Sequence, residues 1–331
     1  MKNILNRLLN HETLSKQEAK EVLTDITREN YNESQLAAFL TVYNMRGITI
    51  DELDGFREAL LDLCLPVDLE AYDPIDLCGT GGDGKDTFNI STLASFVTAG
   101  AGVRVAKHGN YGVSSSCGSS NVMEYLGIKF SSEKDFLERS IEEAGICFLH
   151  AALFHPAMKK VAPIRKNLAV KTFFNMLGPL VNPAFPKKQV VGVFSLELAR
   201  MYGYLLQNTN TRFSILHALD GYDELSLTSQ AKYITHQNEG LLSAESFGVR
   251  QLRPEELAGG SDVASAAKIF MQVLQNKGTQ AQDNVVCANA GMAISTAKGL
   301  QPREGFDLAQ ESLQSGKALN AFEKLLNFSK N

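Results

Sequence analysis

Apolar residues in the first seventy positions recur at helical spacing. Ile4, Leu5, Leu8 and Leu9 form one stripe, and Ala19, Val22, Leu23 and Ile26 a second. Leu36, Phe39, Leu40 and Tyr43 make a third, and Leu53, Phe56, Leu60 and Leu61 a fourth. Ser15 and Glu18 have capping-box spacing at the head of the second stripe. Pro66 and Pro74 bracket the exit, so 1–70 is predicted to be a small helical domain. Beyond it the period changes. Short apolar runs at 75–78, 103–106, 146–149, 190–194 and 213–219 read as strands. Stretches 91–100, 119–126, 133–144 and 196–207 between them read as helices. This alternation predicts an α/β domain over 71–331 with a mainly parallel central sheet. Segments 232–236 and 240–242 read as a hairpin, and 262–276, 284–298 and 306–326 as closing helices.

Composition narrows the class. The chain has 331 residues, 44% hydrophobic and 21% charged, as in ordinary globular proteins. A net charge of −5 without a basic run gives no pull toward nucleic acid. No apolar stretch approaches the ~20 residues of a membrane span, and the first ten residues lack a signal-peptide core. Cys64, Cys78, Cys117, Cys147 and Cys287 are scattered without C-x-x-C spacing. That suits reduced thiols, a cytoplasmic setting and no zinc cluster.

The run Asp76-Leu-Cys-Gly-Thr-Gly-Gly-Asp-Gly-Lys-Asp-Thr-Phe-Asn-Ile-Ser-Thr92 carries the most chemistry. It reads as a strand end, a glycine-rich turn and a helix start at Asn89, Ser91 and Thr92. Gly79, Gly81, Gly82 and Gly84 clear side chains from the turn, and its N–H groups with those of the helix form a phosphate site. The run is not a P-loop, because Asp86 follows Gly84-Lys85. Nor does it suit a dinucleotide, because Asp83 stands where a pyrophosphate would approach. A tight structural turn is the competing reading.

A second polar loop, 107–120, follows the next strand and offers Lys107, Asn110, Ser114 to Ser116 and Ser119. A third, 220–226, holds the adjacent carboxylates Asp223 and Glu224, which suit Mg²⁺ beside a phosphorylated ligand. Downstream of His155, Arg165 offers a planar fork for a carboxylate, with phosphate as the competing ligand.

Taken in order, Gly79-Thr-Gly-Gly-Asp83, Asn89-Ile-Ser-Thr92, Lys107-His-Gly-Asn110, His155-Pro-Ala-Met158, Phe174-Asn-Met-Leu-Gly-Pro179 and Asp223-Glu224 resemble the anthranilate phosphoribosyltransferase family. The resemblance spans nearly the whole chain. It implies a helical domain hinged to an α/β domain of the nucleoside phosphorylase and phosphoribosyltransferase kind, with segment 156–180 packing on the helical domain and the site between the two. It also implies a homodimer. Phosphoribosyl pyrophosphate would be held by Gly79, Gly82, Asp83, Thr87, Asn89, Ile90, Ser91 and Thr92. Lys107, His108, Gly109, Asn110, Tyr111, Gly112, Val113, Ser114, Ser115 and Ser119 would close around it. Gly79, Asn110 and Arg165 would bind anthranilate, and Ser91, Asp223 and Glu224 would ligate Mg²⁺, two ions per subunit. His108 and His155 would line the acceptor. The chain departs from the family pattern at Tyr111, Ser116, Cys117 and Asn121.

The implied reaction needs no covalent nucleophile, since the arylamine is itself nucleophilic. Two rival readings are a pyrimidine nucleoside phosphorylase, whose Lys-x-Ser-Gly-Arg-Gly type segment is missing here, and a non-enzymatic nucleic-acid-binding relative.

Overall fold

The computed structural model describes residues 1–28, 30–112 and 117–330. They divide into two compact units, 1–66 with 151–183, and 67–150 with 184–331.

In the first unit the four apolar stripes become helices Lys2–Leu9, Lys16–Thr27, Glu33–Arg46 and Ile50–Asp62. The predicted capping box forms: Glu18 N donates to Ser15 Oγ (3.3 Å) and Ser15 N to Glu18 Oε2 (2.8 Å). Segment 151–183 adds Ala151–Phe154, Met158–Leu168 and Phe174–Leu177. Its Phe173 stacks on Phe56 at 4.5 Å and meets Tyr43 edge-on at 5.1 Å, completing an apolar centre begun more than a hundred residues earlier. Glu52 is fully buried in this unit. It accepts from Leu14 N (2.9 Å), Tyr43 Oη (3.2 Å), Thr49 N (2.9 Å) and Thr49 Oγ1 (3.0 Å), and pairs with the buried Arg46 guanidinium. One carboxylate thus ties the loop before the second helix to the third and fourth helices.

The second unit is built on a seven-stranded sheet: β1 Ile75–Gly79, β2 Val105–Gly109, β3 Ile146–His150, β4 Lys188–Gly192, β5 Arg212–Ala218, β6 Ala231–Thr235 and β7 Glu239–Leu242. Their order is β3-β2-β1-β4-β5-β6-β7. The first five strands run parallel, and the predicted hairpin joins as an antiparallel edge. Helix Ile90–Gly100 connects β1 to β2 and is buried on nearly every side. Its Phe96 meets Phe148, Phe270 and Phe322 within 6 Å. Connections leave β1 and β4 toward opposite edges, so the carboxyl ends of these neighbours form the switch point where open α/β sheets bind ligands.

Several boundaries differ from expectation. β2 runs on through Gly109, so Lys107 and His108 belong to a buried strand and not to the loop after it. Helix Gln280–Lys298 begins four residues early, because Thr279 caps it: Gln282 N donates to Thr279 Oγ1 (3.2 Å) and Thr279 N to Gln282 Oε1 (2.9 Å). The expected helix 306–326 is two helices, Pro302–Gln314 and Lys317–Lys330, parted at Gly316, whose φ of 77° is left-handed. Among the described residues no helix is long and apolar enough to cross a membrane.

Candidate active site

The glycine turn leaves β1 at the switch point. Gly81 and Gly82 have φ of 64° and 76°, which side chains rarely adopt, so these two are required by conformation. Gly79 is required for a different reason. A Cβ there would lie 2.4 Å from Asp223 Oδ2, and one at Gly192, the last residue of β4, would lie 1.5 Å from the Asp223 carbonyl. The loop after β5 therefore presses its carboxylates onto the ends of β1 and β4. Gly81 N donates to Asp223 Oδ2 (2.6 Å), and Thr87 Oγ1 donates to Glu224 Oε1 (3.0 Å). Asp83 Oδ1 accepts from Lys85 N (3.0 Å), and its Oδ2 lies 3.5 Å from Asp223 N.

The electrostatics of this cluster are one-sided. Burial and the charge of Asp83 push the Asp223 carboxyl up to about 7, and burial and the charge of Asp223 push Glu224 well above the usual carboxylate range. Among the described residues no basic side chain forms an ion pair with either. Lys85 turns away onto the ring of Tyr222 (4.7 Å). Lys107 is buried and donates to the Leu77 carbonyl (2.5 Å), its pKa lowered by burial although Cys78, Asp76 and Glu224 oppose that. Two buried carboxylates without a matched cation suit a bound metal ion. No group of three or more His, Cys, Asp or Glu among the described residues could hold one alone, so phosphate oxygens and water would complete the shell, as Mg²⁺ prefers.

Asn89 is the N-cap of helix Ile90–Gly100 but does not cap it with its side chain. Its Nδ2 instead donates to the Cys117 carbonyl (3.2 Å), tying the helix start to the second loop. Ile90 N donates to the Phe88 carbonyl (2.6 Å), so among the described residues the first-turn N–H groups of Ser91 and Thr92 are the ones that stay available to an anion. Among the described residues Ser91 forms no hydrogen bond with either carboxylate; its carbonyl accepts from Ser95 Oγ (2.8 Å). Thr92 Oγ1 is buried without a partner.

The second loop is anchored at both ends. Asn121 Oδ1 accepts from Gly112 N and from Gly118 N, each at 3.0 Å. The Asn110 carbonyl accepts from Ser120 N (3.2 Å) and Ser119 Oγ (3.3 Å), and Asn110 Oδ1 from Tyr111 N (2.9 Å). Tyr111 sets its ring edge-on to His150 (4.7 Å) and its hydroxyl 3.3 Å from both oxygens of Glu124. Gly109 leaves room for Ser119 Oγ, which a Cβ would meet at 2.7 Å. His108 is buried and gives its N–H to Asp76 Oδ1 (3.1 Å). Burial raises the Cys117 thiol, which disfavours its reactive thiolate form. Val113, Ser114, Ser115 and Ser116 lie outside the described residues.

In the other unit, Arg165 is largely enclosed. It donates to Asn175 Oδ1 (3.2 Å) and lies over the Phe174 ring (5.4 Å), and burial lowers its pKa. No carboxylate among the described residues pairs with it. His155 is buried, which pushes its pKa down to about 4 and keeps the ring neutral.

Gly192 and Asn289 shape this site and were missed in the sequence, since each meets the Asp223–Leu225 backbone from a distant part of the chain. Asp220 was missed too: it belts its own loop by accepting from Thr228 Oγ1 (2.5 Å) and Ser229 Oγ (2.8 Å).

A glycine turn, a helix N-terminus and an enclosed carboxylate pair at the switch point suit a phosphorylated, metal-bound ligand, and a helical bundle forms the second unit. Residues 2–64 match the helical bundle domain of a glycosyl transferase family, and residues 71–319 match the a/b domain of the same family. The anthranilate phosphoribosyltransferase of Flavobacterium psychrophilum is 68% identical over 329 residues, 99% of this chain and 100% of that protein. The crystal structure of the Thermus thermophilus anthranilate phosphoribosyltransferase aligns with a TM-score of 0.92 at 33% identity over 99% of both chains. That of the Saccharomyces cerevisiae enzyme, in complex with phosphoribosyl pyrophosphate and Mg, aligns with a TM-score of 0.90 at 26% identity, covering 98% of this chain and 96% of that one. The chain belongs to the anthranilate phosphoribosyltransferase family.

Proposed function

We propose that this protein transfers the phosphoribosyl group of 5-phosphoribosyl 1-pyrophosphate to the amine of anthranilate, releasing pyrophosphate, in tryptophan biosynthesis. The observation that carries the reading is the unmatched carboxylate pair, Asp223 and Glu224, set against a positive-φ glycine turn at the sheet's switch point.

The N–H groups of Ser91 and Thr92 in the first turn of Ile90–Gly100 receive phosphate of the donor where it lies against the glycine turn. Gly79, Gly82, Asp83, Thr87, Asn89 and Ile90 to Thr92 make this surface, and Lys107 to Gly112 with Ser119 border it. Lys107 contributes through its backbone and its buried charge, since its ammonium is committed to Leu77. Asp223, Glu224 and Ser91 hold Mg²⁺, two ions per subunit. When bound, Mg²⁺ supplies positive charge against the departing pyrophosphate. Arg165, enclosed and without a carboxylate of its own, pairs with the carboxylate of anthranilate, and Gly79 and Asn110 contact the same substrate. The arylamine lone pair attacks C1 of the sugar as the C1–O bond to pyrophosphate breaks, with inversion at C1. The amine then gives up its proton, and no general base is assigned. The enzyme is cytoplasmic and acts as a homodimer.

Loss of anthranilate fluorescence on adding phosphoribosyl pyrophosphate and Mg²⁺ tests the reading directly. A steady anthranilate signal with both present would overturn it.

A further inference from the structure

The long helix Gln280–Lys298 is buried along most of its length, and Cys287, Ala288 and Ala290 around its middle are fully enclosed. Asn289 breaks that apolar run. A buried amide without partners costs several kcal/mol, and asparagine is a weak helix former, so its place there calls for a compensating interaction. Both ends of its amide are bonded. Asn289 Oδ1 accepts from Leu225 N (3.1 Å), and its Nδ2 donates to the Leu225 carbonyl (2.8 Å) and to the Val285 carbonyl one turn back (2.8 Å). One side chain therefore grips both polar groups of a single residue's backbone, as a neighbouring strand would. That residue directly follows Glu224.

The grip is aimed. Leu225 is 1% exposed and sunk in the main core, and Ser226 and Leu227 after it are buried as well. On its other side the loop is pressed against Gly79 and Gly192, where no side chain fits. The backbone at 223–225 is thus pinned from two directions, and the carboxylates project from between the pins.

We infer that Asn289 is a positioning residue for the carboxylate pair, fixing the backbone that aims Asp223 and Glu224 at a divalent cation. The inference rests on the metal reading above. Asn289 acts through its bonds to the Leu225 backbone, so its effect is on how tightly the cation is held.

The test reads metal binding apart from turnover. Free Mn²⁺, a stand-in for Mg²⁺, is followed by electron paramagnetic resonance during titration of the protein with phosphoribosyl pyrophosphate. Asn289→Ala should weaken Mn²⁺ by about tenfold or more, the range for residues that orient metal ligands. Its Michaelis constant for anthranilate should stay near that of the wild type, and excess metal should recover turnover. Asn289→Asp keeps the shape and the acceptor for Leu225 N but sets a charge against the Leu225 carbonyl. It should also weaken Mn²⁺, and it keeps the test readable if the alanine variant does not fold. Asn284→Ala, which removes another buried asparagine of the same helix, bonded to Gln280, should leave Mn²⁺ affinity unchanged. Folded Asn289 variants that melt earlier yet bind Mn²⁺ like the wild type would overturn the inference alone. A wild-type protein that binds no Mn²⁺ would remove the metal reading and the inference with it.

Discussion

Glu52 in the helical unit and the Asp223–Glu224 pair in the α/β unit are both enclosed carboxylates, and their surroundings are opposite. Glu52 has four neutral donors and the guanidinium of Arg46, which is itself 6% exposed. Every demand of its charge is met from within the chain. Among the described residues Asp223 accepts from Gly81 N and Glu224 from Thr87 Oγ1, neither has a cation paired with it, and both face Asp83 as well as one another. Burying a charge is costly unless it is paired. A buried carboxylate completed by its own fold is architecture; a pair left without a cation beside a glycine turn at the sheet's switch point suits a ligand that completes it.

Removing a partner from the completed group should cost the most. Glu52→Ala strands the buried Arg46 and frees four donors, so urea denaturation should show a loss of about 3–5 kcal/mol. A loss below about 1 kcal/mol, the scale of an ordinary surface substitution, would mean that Glu52 is not the hub of its unit.

Arg165 mirrors the pair, as an enclosed cation without an anion. Arg165→Ala should weaken anthranilate by about ten- to a hundredfold, matching ~1.5–3 kcal/mol for a charged hydrogen bond, and should affect the phosphoribosyl donor much less. Arg165→Lys should restore part of the loss, since a point charge cannot reproduce the planar fork. Measuring both Michaelis constants in each variant decides it, and a selective loss of donor affinity would make Arg165 a phosphate clamp.

Asp283 gives the smallest contrast. It is partly buried on Gln280–Lys298, its Oδ1 has no hydrogen-bond partner among the described residues, and burial pushes its pKa up to about 6. Because folding raises this pKa, the penalty is absent below the ordinary carboxylate range and fully present once pH exceeds about 6. Asp283→Asn should therefore add about 1–2 kcal/mol of stability near pH 8, and the gain should fade as pH drops through 6 toward 4. Denaturation curves at the two ends of that window check it; an equal gain at both would show that the charge is not the cause.

Local pattern was enough to read the strands, the glycine turn and the order of the polar loops, because each is carried by consecutive residues. The same holds for the family resemblance, which the relatives bear out. What escaped depends on approach between distant segments. Glu52 occupies the third position of a capping box and so reads as a surface residue, and its inward turn follows only from the packing of Leu14, Tyr43 and Arg46 around it. Gly192 looks like any strand glycine until the Asp223 carbonyl is laid on it. Lys107 reads as an outward arm because its strand seemed to end at 106, and three further paired residues turn it inward. The helix break at Gly316 was hidden by apolar spacing that continues across it.

The central claim is that the charge left unmatched at Asp223 and Glu224 belongs to a metal-dependent site. Its most direct test is a Mg²⁺ titration of anthranilate turnover in the wild type and in the Asp223→Asn, Glu224→Gln double variant, with circular dichroism to confirm the fold. The account predicts that the folded variant loses about a thousandfold or more in turnover, since several kcal/mol of charge stabilisation is removed, and that added Mg²⁺ recovers little of it. A double variant that turns over like the wild type across the Mg²⁺ range would contradict the claim.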